Sequence, residues 1–408
     1  MRTEATRSEG AHRRRGLIEL AVENYRSLRN VTIPLGPLNV LVGPNGAGKT
    51  NVLEVLRFLA DVVHTDLEPA LLARGGFDEM VFHGGDRPLE FISIGLKATW
   101  TPRGTVKDPD VYLLRMGHQL ISGFSREEYF RFPKTQTEGE IRIGIDHSQV
   151  RIDASPSSAP DAEGHVIGIQ PLSSGLSTLR RLSVAGGEVR VVADHLASMR
   201  FFEVSVDAAR QPSRVVEKDS ALEPNAANLA AFLRWLRDRH PDAWDGLVQD
   251  AIAVLPQLQN IDFEYPSGAA REVVVVLQER GLRRPTQLAD ASYGTIRLLG
   301  LLALLYDPSP PALTCVEEID HGLHPQALEL LVARLREASD RTQFLIATHS
   351  PALADRLRPD ELIVCERRED GSSAIPALTT SEIEGIVAES EGLPLGDLWF
   401  SGALGGDL

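Results

Sequence analysis

Short apolar segments open the chain: Leu17 to Val22, Val31 to Leu35 and Leu38 to Val42 alternate with polar residues and turns and read as strands. From Asn51 to Val63 the period changes to that of a helix, with Val52, Leu53, Leu56, Leu59 and Val63 on one face. Between about Leu89 and Ile152 the pattern returns to strands. FISIGLKATW, VYLLRM and EIRIGIDHSQVRI, separated by Pro, Gly and Asp turns, predict an antiparallel lobe. Gly164 to Gly187, rich in Ser and Gly, predicts loop with short helical pieces. Helices follow over Asn228 to Arg239, where Leu229, Phe232, Leu233 and Leu236 share a face, and over Trp244 to Leu255. REVVVVLQ at 271–278 is a strand, Thr295 to Tyr306 an apolar helix, Ala312 to Val316 a buried strand, Gln326 to Ala338 a helix and Phe344 to Ala347 another buried strand. Strands alternating with helices at both ends of the chain predict a mostly parallel sheet assembled from the two termini. Beyond Pro359 the pattern suits a β-hairpin plus a helix. No internal repeat and no sustained heptad run is present, so long coiled-coil arms are not expected.

Composition narrows this picture. The 408 residues suffice for a large core. With 42 Lys plus Arg against 57 Asp plus Glu, the net charge of −15 opposes non-specific attraction to polyanions but leaves local patches open. Two cysteines, Cys315 and Cys365, both inside apolar runs, give no disulfide framework and predict a reducing compartment. The apolar stretch Leu298 to Tyr306 is about half of what a bilayer span requires. Met1 to Gly16, with Arg13, Arg14 and Arg15 and no apolar core, resembles a disordered basic tail rather than a signal peptide. A soluble cytoplasmic protein is the expectation.

Chemistry concentrates in four places. Gly43, Pro44, Asn45, Gly46, Ala47, Gly48, Lys49 and Thr50 make a full G-x-x-x-x-G-K-[ST] match between a strand and a helix. Glycines let the backbone wrap a phosphate, Lys49 reaches the β and γ phosphates, and Thr50 binds Mg²⁺. The buried strand of LTCVEEID ends in carboxylates, Glu317 for the metal and Glu318 to take a proton from the attacking water. In FLIATHSP, His349 is placed to meet a γ phosphate or the water, while Ser350 and Pro351 suit a helix start. In LADASYGTIR, Ser292 and the amides around Gly294 at a helix N-terminus offer a second anion site, distinct from the first.

Together these elements resemble the ABC-type ATPase heads of the RecF, SMC and OLD-like group, in its compact AAA-type branch without a TOPRIM domain. The opening IELAVENYRSLRNVTIPLGPLNVLVGPNGAGKTNVLEVL carries Asn24-Tyr25-Arg26-Ser27 where the family has its N-F-R-S turn. SYGTIRLLGLLALL resembles the shortened signature, CVEEIDHGLHP the Walker B and D-loop, and ATHSPALAD the switch-histidine motif. Glu317 departs from the Asp usual at its position. The resemblance implies an α/β fold: a P-loop NTPase head over 17–356 with a mostly parallel core sheet, a β lobe over about 88–155, a mixed and helical insertion over about 156–270, and a C-terminal extension over 357–408. It implies that ATP is held in cis by Gly43 to Thr50, Asn51 and Arg26, and is covered in trans by Ser292 and Gly294 of a second copy, with Asp320 and His324 near the dimer seam. No Q-loop glutamine is visible around 81–87, where His83 is a stand-in. His321 and His324 lack further ligands at usable spacing for zinc. The implied activity is Mg²⁺-dependent ATP hydrolysis by a homodimer that acts on DNA in repair or anti-phage defence, with a separate effector nuclease as a partner. Candidate DNA-facing cations are Arg180, Arg181, Arg283 and Arg284. A transporter's nucleotide-binding subunit and an ATP-gated scaffold for an effector protein are the alternatives.

Overall fold

The computed structural model describes residues 16–85, 88–119, 123–154, 165–182, 185–214, 221–266, 271–390 and 392–405; the expected basic tail lies outside them except for Gly16. β1 (Leu17–Tyr25) and β2 (Leu28–Pro34) are joined by only Arg26 and Ser27, so they pair antiparallel. Asn24 and Arg26 turn the chain with φ of 60° and 46°. β3 (Leu38–Val42) leaves this sheet, and α1 (Lys49–Thr65), α2 (Leu67–Leu72) and α3 (Phe77–Met80) follow. β4 (Phe91–Ala98), β5 (Asp110–Gln119), β6 (Gly123–Phe132), β7 (Ile141–Asp146), β8 (Gln149–Ala154) and β9 (His165–Gly168) then extend the first sheet. Its order is β2-β1-β4-β5-β6-β7-β8-β9, antiparallel at every junction.

The sequence pattern predicts a mostly parallel sheet and starts the antiparallel lobe near residue 88. The larger sheet is antiparallel, and β1 and β2 belong to it. The signal lies in the two-residue turn, which is too short for any parallel connection.

After α4 (Gly175–Thr178) and α5 (Gly186–Ala197), β10 (Arg200–Phe202) enters a second sheet. The insertion continues with α6 (Val206–Ala209), β11 (Ser213–Arg214), α7 (Leu229–Arg239), α8 (Pro241–Val254), β12 (Leu258–Glu264), β13 (Glu272–Glu279) and β14 (Thr286–Gln287), in which the strands form a small sheet of their own. Then come α9 (Tyr293–Leu305), β15 (Leu313–Glu317), α10 (Pro325–Ala338), β16 (Gln343–Thr348), α11 (Pro351–Ala354), β17 (Leu362–Val364), the hairpin β18 (Glu366–Arg367) and β19 (Ser373–Ala374), α12 (Thr380–Glu389) and α13 (Leu395–Phe400).

The second sheet runs β10-β15-β16-β3-β17, parallel throughout. Its edge strand β17 comes from the segment that the sequence sets apart as an extension after residue 356, so that segment is built into the sheet. Along these strands alternate residues enter two different cores. Leu41, Cys315, Leu345 and Ile363 pack toward α1 and the antiparallel sheet. Val40, Val42, Val316, Ile346 and Val364 pack toward the helices around α9 and α10. Covering on both faces explains the unbroken apolar runs of these strands. It also explains α1, which buries Val55, Phe58 and Val62 in addition to the single face read from its period, because it lies between two sheets.

Candidate functional site

In a parallel sheet covered on both faces, chemistry gathers at the carboxyl ends of the strands. β3 ends at Val42 and the chain passes through the glycine loop into α1, which begins at Lys49. Gly46 and Gly48 hold φ of 83° and 100°, a left-handed backbone that suits glycine. The loop is packed from behind by the C-terminal segment. A Cβ on Gly43 would lie 2.3 Å from the Cys365 carbonyl oxygen, and one on Gly48 would lie 2.2 Å from Ser373 Oγ. Lys49 Nζ donates back to the carbonyls of Gly43 (2.7 Å) and Pro44 (2.9 Å). Burial pulls the Lys49 pKa down from its ordinary value, against the opposing fields of Cys365, Glu318 and Glu317.

β15 brings Glu317 and Glu318 to the same edge. Burial raises the pKa of Glu317, and the neighbouring Glu203 and Glu54 push in the same direction; Arg57 and a hydrogen bond from Thr50 oppose the rise. Glu318 is left-handed at φ 47°, an uncommon state for a residue with a Cβ. Three bonds hold it there: its N–H donates to Ala347 O (2.8 Å), and its carbonyl oxygen accepts from His321 N–H (3.1 Å) and from Arg297 Nη2. Its half-exposed carboxylate stands 3.8 Å from Nδ1 of His349, at the end of β16, and 3.8 Å from Nδ1 of His321. Thr348 donates to Asp320 Oδ1 (2.5 Å), tying the loop after β15 to the end of β16.

These groups border one cavity of about 270 Å³. Asn45, Gly46, Gly48, Lys49, Thr50 and Asn51 line one wall, and Glu317, Glu318, Thr348 and His349 line the other. Gly43, Pro44 and Ala47 shape the loop without lining the cavity. Arg26 stays outside it: its N–H bonds Met80 O (2.7 Å) and its guanidinium stands 5.7 Å from the centre of the Tyr25 ring, while the next residue, Ser27, accepts from Asn51 Nδ2 (2.8 Å). Ser292 and Gly294 also lie apart from it. Ser292 caps α9 by accepting from Thr295 N (3.2 Å), and a Cβ on Gly294 would stand 2.8 Å from Gly322 O. The Tyr293 ring meets His321 edge-on at 5.9 Å. His83 bonds Asp78 O (2.6 Å) and does not line the cavity. His324 caps α10.

Three residues escape the sequence patterns. Glu203 directly follows β10, whose Phe202 pairs with Val316, so the parallel register sets it beside Glu317. Arg297 reaches Glu318 from α9. Arg367, on β18, lines the cavity and donates to Gly46 O (3.3 Å). Glu203 and Arg367 sit in no motif, and Arg297 ends the LADASYGTIR segment without a role read for it there; each is brought in by a contact across the fold.

Residues 38–355 match the family described as "AAA domain, putative AbiEii toxin, Type IV TA system". The OLD nuclease of Thermus scotoductus is 24% identical over 382 residues, covering 88% of this chain and 66% of that protein. The DNA replication and repair protein RecF of Erwinia tasmaniensis is 37% identical over 83 residues, 20% of this chain and 23% of RecF. The chain thus spans less than two thirds of the length of either relative. Among solved structures, the Smc head domain of Pyrococcus furiosus, with an extended coiled coil and bound to the C-terminal domain of ScpA, shares the fold with a TM-score of 0.52 at 12% identity, over 92% of this chain and 100% of that one.

Proposed function

The chain belongs to this AAA-domain family; from that premise we propose that it is a P-loop ATPase of the RecF, SMC and OLD type that binds and hydrolyses MgATP and closes as a homodimer on two nucleotides. One observation carries the proposal: Lys49, Thr50, Glu317, Glu318 and His349, from three different strand ends, border a single cavity. The hydroxyl of Thr50 against the carboxylate of Glu317 is an oxygen donor set that suits Mg²⁺, and these two residues would hold it. When bound, the ion supplies charge neutralisation on the phosphate oxygens.

The protein's own groups do the rest. The backbone N–H groups of the loop and the N-terminus of α1 meet the phosphate charge, with Asn51 beside them, and Arg26, which lies outside the cavity, would reach the nucleotide from the turn after β1. Lys49, parked on the Gly43 and Pro44 carbonyls, exchanges these acceptors for β and γ phosphate oxygens. Glu318 orients the attacking water and receives its proton, and His349 contacts the γ phosphate. Ser292 and Gly294 stand apart from their own cavity, and this position supports their contact with the γ phosphate of a second copy.

The names of the relatives, an OLD nuclease and a DNA replication and repair protein, support action on DNA; work in repair or in anti-phage defence beside a separate effector nuclease is part of our proposal. We set the protein in the cytoplasm on the DNA-associated names of its relatives; among the described residues no helix is long and apolar enough to cross a membrane. Sedimentation velocity of Glu318→Gln tests the dimer. With saturating MgATP this variant runs as a dimer, and with nucleotide withdrawn it runs as a monomer. A variant that binds MgATP yet stays monomeric contradicts the two-nucleotide closure.

A further inference from the structure

The charges facing the cavity are unevenly explained. Glu317 and Glu318 contribute two negative charges; Lys49 and Arg367 contribute two positive ones. Lys49 belongs to the glycine loop. Arg367 arrives more than three hundred residues later, on a two-stranded hairpin that the nucleotide motif does not predict.

The hairpin is fixed against the glycine loop. Cys365 N–H donates to Val42 O (2.7 Å), at the strand end where the loop begins. Ser373, paired with Arg367 in the hairpin register, donates through its N–H to Ser27 O (2.8 Å) and through its hydroxyl to Ser27 Oγ (2.7 Å). Asp370 at the hairpin turn meets Arg29 at 2.9 Å. Any side chain on Gly48 would collide with Ser373, so the two segments are in close contact.

On this fixed support the Arg367 side chain is exposed and makes no ion pair among the described residues. Its one hydrogen bond, to Gly46 O at 3.3 Å, is long and uses one of five N–H donors. A planar guanidinium with unspent donors, in a cavity whose other cation is folded back on two carbonyls, has the chemistry of a phosphate ligand.

We propose that Arg367 is a second phosphate-binding cation of the nucleotide site, delivered in cis by the C-terminal hairpin. The proposal rests on the nucleotide assignment above and extends it: the segment after residue 356 is part of the site. On nucleotide binding the guanidinium leaves Gly46 O and takes phosphate oxygens, adding a positive charge where two carboxylates oppose the incoming polyphosphate.

The test is calorimetric titration of MgATP and MgADP into the full chain and four variants, with thermal melting of each. Arg367→Gln weakens both nucleotides by about 10- to 100-fold, the range for a lost charge-assisted hydrogen bond. Arg367→Lys recovers part of the loss. Arg368→Gln removes the same charge from the adjacent exposed position, which does not line the cavity, and leaves affinity unchanged. Melting temperatures of all three stay at the wild-type value. An Arg367→Gln affinity equal to wild type, or an Arg368→Gln loss as large as that of Arg367→Gln, overturns the proposal. Lys49→Ala separates the two levels. If it abolishes binding while Arg367→Gln does not weaken it, the nucleotide assignment stands and Arg367 falls; if the wild-type chain binds no nucleotide, both fall.

Discussion

Replacing Arg297 by Met separates the support of Glu318, the carboxylate proposed as the base, from the binding of nucleotide. Arg297 is 5% exposed on α9, and its Nη2 donates to the carbonyl oxygen of Glu318 while its Nε has no partner. A hydrogen bond from a charged donor contributes about 1.5–3 kcal/mol. The left-handed backbone of Glu318 costs about 1–2 kcal/mol, so the bond is large enough to hold that conformation. Methionine fills much of the same space without the desolvation cost of a guanidinium, and the net change in stability is therefore small, about 0–2 kcal/mol. The consequence for catalysis is larger. With one of its three backbone bonds lost, Glu318 is held less firmly, and a displacement of its carboxylate by about 1 Å costs roughly 100-fold. Phosphate release measured against MgATP concentration then shows kcat reduced about 10- to 100-fold, while the calorimetric Kd stays within about twofold because Lys49, Thr50 and Glu317 stand on other elements. An unchanged kcat, or a kcat and a Kd that worsen by the same factor, refutes the positioning role.

Two further outcomes follow from packing behind the loop. Gly43→Ala places a methyl 2.3 Å from a backbone oxygen that cannot swing away; a loss of about 1–3 kcal/mol in denaturant melts is expected, and wild-type stability would contradict the close approach of β3 and Cys365. Burial pushes the Cys365 thiol up to about 12, against the pull of Lys49, and Cys315 is raised by burial as well. The folded state holds these protons more tightly than the unfolded chain, so stability declines as pH climbs through the ordinary thiol range. At pH 8 iodoacetamide therefore leaves both thiols intact until denaturant is added, and rapid labelling of the folded protein would refute their burial.

Much of the site was legible because its parts are contiguous in sequence. The glycine loop needs a strand before it and a helix after it, and all three lie between Leu38 and Thr65. Glu317, Glu318 and His349 directly follow or end apolar runs, which is where a buried parallel strand delivers its residues. What stayed hidden depends on register and on packing between distant segments. β10 is three residues long and too short to show a period, so Glu203 beside Glu317 leaves no mark in the sequence. Arg297 looks like one polar interruption in an apolar helix, and only the fold turns it toward Glu318. The pairing of the first two strands is not visible in their pattern, because alternation gives a strand's faces but not its neighbours; the two-residue connection at Arg26-Ser27 carries that information. Arg367 sits in a stretch of charged residues, ERRED, where a solvated turn is the ordinary expectation, and its place beside Gly46 comes from the pairing of β17 with β3.

The central claim is that the glycine loop and the acidic strand meet around one metal-bound triphosphate. Electron paramagnetic resonance of Mn²⁺, substituted for Mg²⁺ and titrated with ATP into the wild-type chain and Glu317→Ala, tests it directly. A bound Mn²⁺ signal with phosphorus hyperfine coupling is expected in the wild type, and an affinity for the ion at least about tenfold weaker in the variant. Equal Mn²⁺ affinity in the two proteins, or bound Mn²⁺ without coupling to phosphorus, would contradict it.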